Sequence, residues 1–290
     1  MITKERLSAL TRLLDDPDEE IFHQVELQFL EIGVSIIPDL EKVWEGTLNQ
    51  ALQHRIETLV QKIQFIYVKE NLHEWATQRE ANLLEGAYWV AKYQFADISI
   101  EIIENVIEKL KHEIWLELNN NLTALEKVKI INHILFDVNK FSGNITNFDS
   151  PLNAYINQVL ETKKGNPVSL SIIYSVIARR LGLPVYGVDL PKNFILAYRD
   201  EIASIQATTD DLNEEILFYI NPFNKGMVFG RKEIDIFIKQ QKMSQDKSFY
   251  IPCSNIQIIF RLLKSLESSY EKMGYLQKIK DIQELILILT

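Results

Sequence analysis

The groups that could do chemistry in this 290-residue chain are few: one thiol, five imidazoles and two serines flanked by lysines. Cysteine catalysis needs a thiolate made by a neighbouring base, with a third group to orient that base. The thiol, Cys253, lies in Tyr250-Ile251-Pro252-Cys253, and His23, His54, His73, His112 and His133 all fall far upstream of it. A small buried hydrophobe is therefore its expected role. The serines, Ser169 and Ser171, sit where a helix begins, and Lys163, Lys164 or Lys192 could serve one of them as base. Neither serine belongs to a G-x-S-x-G elbow or an S-x-x-K pairing, and serine in a first helical turn is ordinary capping chemistry. With no C-x-x-C or H-E-x-x-H, and with dispersed histidines, no metal and no cofactor is expected.

The serines belong to Lys164-Gly165-Asn166-Pro167-Val168-Ser169-Leu170-Ser171, which reads as a loop delivering the N-terminus of a buried helix into a site. Asn166 is a good N-cap, and Pro167 suits the first helical position, where no amide donor is needed. Ile172, Ile173, Val176, Ile177 and Leu181 supply a broad apolar face, and Gly182 and Pro184 stop the helix. Free amides around Val168 to Leu170 could hold a carboxylate or another anion.

The surrounding elements follow from periodicity and punctuation. The first 140 residues read as successive helices: one on Ile2, Leu7, Leu10, Leu13 and Leu14, a second capped by Asp16 with Pro17 first and Glu19 at the capping-box position, ending at Gly33. A short helix with Trp44 lies between Pro38 and Gly46, and a longer one runs from Leu48 through Ile66. The aromatic stretch from Leu83 to Tyr93 is expected to be core, with further helices capped near Ser99 and at Thr123 with Glu126. After Ser142-Gly143-Asn144 the texture changes to a helix up to Glu161, the buried helix, and strands at Val185–Leu190, Phe194–Tyr198, Ile216–Ile220 and Met227–Phe229. The polar run 199–215, with Asp210, Asp211, Glu214 and Glu215, reads as a solvated loop. Ser254 to Met273 and Tyr275 to Leu289 read as a helical hairpin broken at Gly274. The fold class is α+β and predominantly helical, a buried helix on a small antiparallel sheet. The expected domains are a helical region over 1–142, a core over 143–248 and a hairpin over 249–290.

Net charge is −9, with 14 basic and 25 acidic residues in 1–150 against 17 and 15 in 151–290. So acidic a first half would repel a phosphate backbone, which excludes nucleic acid as a partner. No apolar leader opens the chain, no segment has the roughly 18 apolar residues of a membrane span, and a lone cysteine forms no internal disulfide. The expectation is a cytoplasmic protein with no membrane partner.

Three runs, LLEGAYWVAKY, KKGNPVSLSIIYSVIARRLGLPVYGVDLPKNF and FYINPFNKGMVFG, resemble the SirB-type bacterial family over most of the chain. The resemblance implies a helical N-terminal region, a papain/transglutaminase-like core and a tetratricopeptide-like C-terminal tail. In active members of that fold, a cysteine at the buried helix start, a histidine on the next strand and an acid on the following one form a triad. The SirB-type family is similar in usually carrying proline at the cysteine position, with histidine in Pro-Gly-His-Phe and aspartate in Asp-Pro-Phe. Here the matching segments are Pro191-Lys192-Asn193-Phe194 and Asn221-Pro222-Phe223, so the triad positions are Pro167, Asn193 and Asn221. The resemblance thus implies a catalytically inactive interaction or regulatory module with a protein partner. An alternative is a small-molecule or peptide-end binder, holding an anionic ligand among Asn166, Pro167, Ser169, Lys192, Asn193 and Asn221. A residual serine hydrolase or amidase stands third.

Overall fold

A computed structural model describes residues 4–200 and 216–290. The polar run from 201 to 215, including the four clustered acids, lies outside them. The chain divides into two compact units, Met1–Asn71 and Leu72–Thr290, and the dividing point falls inside one long helix.

The first unit is helical: α1 (Lys4–Leu13), α2 (Glu19–Ile32), a 3₁₀ turn at Gly33–Ile36, α3 (Ile37–Gly46) and the first part of α4 (Gln50–Thr77). Leu10, Leu14, Val25, Phe29, Leu40, Ile56 and Leu59 form its core. The cap of α2 is Asp18, which accepts from Glu20 N at 2.8 Å, and not Asp16. Asp16 instead accepts from Asp18 N in a local turn, because Pro17 separates the two aspartates and the second one is positioned at the first free amides. Gly33 ends α2 with φ +73°, a conformation that suits glycine.

The second unit contains the rest of α4, then α5 (Leu83–Lys92), α6 (Ile100–Trp115), α7 (Ala124–Asn132) extended by a π-turn over His133–Val138, and α8 (Ile156–Thr162). Next come α9 (Pro167–Arg180), α10 (Arg231–Gln240), α11 (Asn255–Met273) and α12 (Leu276–Leu287). Two-residue strands β1 (Ser142–Gly143) and β2 (Lys164–Gly165) pair in parallel. The main sheet is an antiparallel meander of β3 (Val185–Leu190), β4 (Asn193–Arg199), β5 (Ile216–Asn221) and β6 (Met227–Phe229), in that order. The expected predominantly helical α+β class holds. The sequence breaks at Ser142 and near 248 both fall inside this second unit.

Helix α9 is the centre of the unit. Every residue from Val168 to Ala178 is buried, which is why its sequence is apolar nearly all round rather than on one stripe. It packs on β3 and β4 on one side and on α5, α6 and α11 elsewhere. The aromatic stretch of α5 is core, as expected, with Leu83, Leu84 and Gly86 through Ala91 buried. Gly86 allows α5 to close on its neighbours: a Cβ there would lie 2.5 Å from Trp75 Cζ2 and 2.8 Å from Ile259 Cγ1 of α11. The tryptophans split, with Trp75 and Trp89 buried while Trp115 is 59% exposed and stacked on His112. Helices α11 and α12 form the expected hairpin around Gly274, φ +74°. The hairpin is tied down by a tyrosine network: Tyr93 OH donates to Asp281 Oδ2 at 2.7 Å, and the Tyr155 and Tyr270 hydroxyls lie 2.6 Å apart.

Candidate ligand-binding cleft

The start of α9 is built as its sequence suggests. Asn166 Oδ1 accepts from Ser169 N at 2.8 Å, and Ser169 Oγ accepts from Asn166 N at 3.0 Å, a reciprocal capping box. Pro167 occupies the first helical position. Gly165 is required just before it, because a Cβ would stand 2.7 Å from Ser169 Oγ. The Asn166 amide reaches across to α11, Nδ2 donating to Ser265 Oγ at 3.0 Å.

This corner borders a cleft of about 240 Å³, lined by Asn166, Pro167 and Val168 from α9 and by Lys192, Asn193 and Phe194 from the β3–β4 turn. One face of α11 closes it with Arg261, Lys264, Ser265, Ser268, Ser269 and Lys272, while Phe148 and Asp149 come from the loop before α8. Positions 261, 264, 265, 268 and 272 recur at helical spacing, so a single face of α11 supplies three cations to one wall.

Four of the six expected site residues meet here: Asn166, Pro167, Lys192 and Asn193. The other two do not. Asn221 closes β5, paired with Met227, and its Oδ1 accepts from Asn224 N at 3.2 Å to cap the 3₁₀ turn at Pro222–Asn224. The side chain is spent on its own turn because Asn before Pro is a strong local cap, and that local bond outcompetes a distant ligand. Ser169 is 1% exposed and donates its hydroxyl to Asn153 O at 2.6 Å. It is part of the helix start and turns away from the cleft lining.

The expected free amides at the helix start also reduce to one. Pro167 has none, Ser169 N is held by Asn166 Oδ1, and Leu170 N donates to Asn166 O at 3.2 Å. Val168 N–H has no acceptor among the described residues. Lys192 has φ +64°, a left-handed conformation that costs an L-residue about 1 kcal/mol. Its ammonium donates to Gln241 Oε1 at 2.9 Å. No hydrogen bond involves the Asn193 side chain among the described residues.

Among the described residues no base stands beside either serine. Lys163 Nζ lies over the Phe141 ring at 4.5 Å, with its pKa lowered chiefly by burial, and Lys164 Nζ donates to Ser142 Oγ at 2.7 Å. Ser171 Oγ is fully buried and without a hydrogen bond among the described residues. All five histidines are exposed and none lines the cleft. Among the described residues no cluster of three metal-ligating side chains occurs, and no helix is long and apolar enough to cross a membrane.

Residues 101–264 match a family model described as the Transglutaminase-like superfamily. The chain belongs to the transglutaminase-like superfamily. Its relatives include a UPF0162 protein of Xylella fastidiosa, 26% identical over 194 residues that make up 65% of this chain and 64% of that one. A UPF0162 protein of Vibrio cholerae is 27% identical over half of each chain. F-box only protein 21 of Homo sapiens is 30% identical over 54% of this chain but only 28% of its own length. The chain thus spans less than two thirds of the length of each of these relatives. No solved structure matches it significantly. The matched segment runs from α6 to the middle of α11, so it takes in α9, the main sheet and, from the α11 wall of the cleft, Arg261 and Lys264.

Sequence reasoning missed that wall. Arg261, Lys264 and Lys272 lie nearly a hundred residues beyond Pro167, on a helix whose pattern reads simply as amphipathic. The available signal was their spacing: cations at 261, 264 and 272 share a face with Ser265 and Ser268.

Proposed function

We propose that this chain is a catalytically inactive transglutaminase-like protein of the SirB type that works as an interaction or regulatory module by binding carboxylate groups, peptide ends or small carboxylic acids, in the α9 cleft. The observation that carries the reading is the composition of the lining. Where a thiol would stand there is Pro167, beside it Asn193, and around them Lys192, Arg261, Lys264 and Lys272 against one acid, Asp149. Such a wall attracts anions although the whole chain has net charge −9. Asparagine and proline neither titrate near neutral pH nor attack a carbonyl, so the cleft is equipped to hold a group rather than to transform it. The buried, bonded hydroxyl of Ser169 supports the same reading over a serine hydrolase. In this proposal α11 and α12 are the tetratricopeptide-like tail, contributing one wall, and the lone thiol fits a cytoplasmic setting.

Thermal unfolding in the presence of acetyl-trialanine and succinate tests it. The expected result is saturable stabilisation that Asn193→Leu removes. Stabilisation by neither compound, or the same stabilisation in Asn193→Leu, overturns the reading.

A further inference from the structure

Four cationic side chains line the cleft, and their remaining hydrogen-bonding capacity differs. Lys264 Nζ donates to Glu267 Oε2 at 2.9 Å, Lys272 Nζ to Asp149 Oδ1 at 2.6 Å and Lys192 Nζ to Gln241 Oε1 at 2.9 Å. Arg261 is unlike them. Its Nε lies 3.1 Å from Asp189 Oδ1, an ion-pair distance, yet neither atom makes a hydrogen bond. Among the described residues no hydrogen bond leaves Arg261 from Nε or from either terminal nitrogen. The Nε is buried while the side chain as a whole is 31% exposed, so the accessible part is elsewhere along the side chain.

The buried Nε–H of Arg261 lacks an acceptor, which is costly, and its terminal N–H donors have no acceptor among the described residues. Asp189 faces it from β3, with its carboxyl pushed above the usual range by burial and pulled back by Arg261. That contact holds the Nε end of the guanidinium, and its two terminal nitrogens form a planar fork whose geometry matches a carboxylate through two parallel N–H···O bonds. Two other unspent donors line the same cleft, Val168 N–H and the Asn193 amide.

Resting on the binding function proposed above, we infer that Arg261 is the residue that anchors the ligand's carboxylate, with the Val168 amide and Asn193 completing its shell, and that the lysines add attraction without direct recognition. Carboxylate is the favoured chemistry because a single fork and two lone donors satisfy one planar, singly charged group. A phosphate, with more oxygens and more charge, would call on the lysine ammoniums as well, each of which already gives one of its three N–H donors to a protein acceptor.

The test is a ¹⁵N NMR titration of the full chain, following the Val168 amide and the Arg261 Nε–H, with four probes: acetyl-trialanine, its C-terminal amide, succinate and inorganic phosphate. Saturable shifts of both signals with acetyl-trialanine and not with its amide are expected. A tighter response to succinate than to acetyl-trialanine assigns the site to free acids, and the reverse assigns it to peptide ends; either supports the inference. In Arg261→Met, affinity should fall about tenfold or more, and Arg261→Lys should not restore it, since it keeps the charge but not the fork. The spectrum of each variant away from the cleft reports whether the fold is kept, and Lys272→Met, on the same wall, should change affinity less than threefold. Undiminished binding in a folded Arg261→Met overturns the role of Arg261 while leaving carboxylate binding intact. A response to phosphate alone overturns the carboxylate assignment. No response of the wild-type chain to any probe overturns both this inference and the binding function on which it rests.

Discussion

The start of α9 and the segment around Cys253 each border a cleft that Arg261 also lines, and they differ in what each offers to thiol chemistry. At α9 the geometry is present: a buried helix start, an open amide, an adjoining strand turn and a cleft. No thiol stands there: Pro167 occupies the junction. At Cys253 the thiol is present, but Cys253 N and Sγ both face Gly187 O, at 2.9 and 3.3 Å, and burial pushes its pKa up to about 12, with Asp189 adding to the rise. A reactive thiol needs electropositive surroundings, whereas half-buried Cys253 has the Asp189 carboxyl beside it. The lesson is that neither a helix start nor a cysteine is a site by itself; reactivity belongs to their coincidence.

The comparison can be broken most sharply by thiol labelling. An ordinary cysteine ionises near 8.5, so a thiol held near 12 has about a thousandfold less thiolate at neutral pH. Alkylation of native Cys253 by iodoacetamide should accordingly be about three orders of magnitude slower than in the urea-unfolded chain. Pro167→Cys in a Cys253→Ala background should label at least as fast as an unfolded thiol, because the helix start favours an anion there. Equal rates at the two positions would remove the distinction.

Next in size is the cost of dismantling the helix start. Asn166 is buried, caps α9 and bonds Ser265 on α11. Asn166→Ala should therefore lower stability by about 2 kcal/mol in urea unfolding, the sum of a lost cap and a stranded polar partner. A loss below about 0.5 kcal/mol would mean that the corner is held by packing alone.

The smallest effect sharpens the other side. The folded state keeps the Cys253 proton to about pH 12, whereas the unfolded chain releases it near 8.5. The folded state thus binds more protons above that point, and the stabilising contribution, complete below pH 8.5, is lost as pH rises towards 12. Tyr219 and Tyr250, also pushed up to about 12 by burial, add the same trend only above pH 10. Between pH 9 and 10, stability should fall about 1 kcal/mol per pH unit more steeply in the wild type than in Cys253→Ala. Parallel pH profiles would show that the thiol is not shielded.

What could be read in advance were features whose causes are local. The capping box at Thr123 and Glu126, the Asn166 cap with Pro167 behind it, the Gly33 and Gly274 terminations and the strand spans from Val185 to Phe229 all depend on neighbours within a few positions. The cleft was legible in part for the same reason. Asn166, Pro167, Lys192 and Asn193 sit at a helix start and a hairpin turn, which the folding of α9 onto β3 and β4 brings together. Asn221 was misplaced because its local bond to Asn224 N outcompetes any shared pocket. Ser169 was misplaced because its hydroxyl is spent on Asn153 O, sixteen residues away.

The sequence by itself determined the chemistry available: five histidines, all before residue 134, one thiol at Cys253, a proline at 167 and asparagines at 193 and 221. Residue types are fixed by the chain and no folding can supply a missing imidazole. Only the tertiary structure decided which of those groups remain free. Whether an ammonium or guanidinium can meet a ligand depends on what already accepts its protons, and those partners, Gln241 for Lys192, Asp149 for Lys272 and Asp189 beside Arg261, come from distant parts of the chain. That competition for hydrogen-bond partners singles out Arg261, a residue with no local signature, within a cleft whose first members were legible from Asn166 and Pro167.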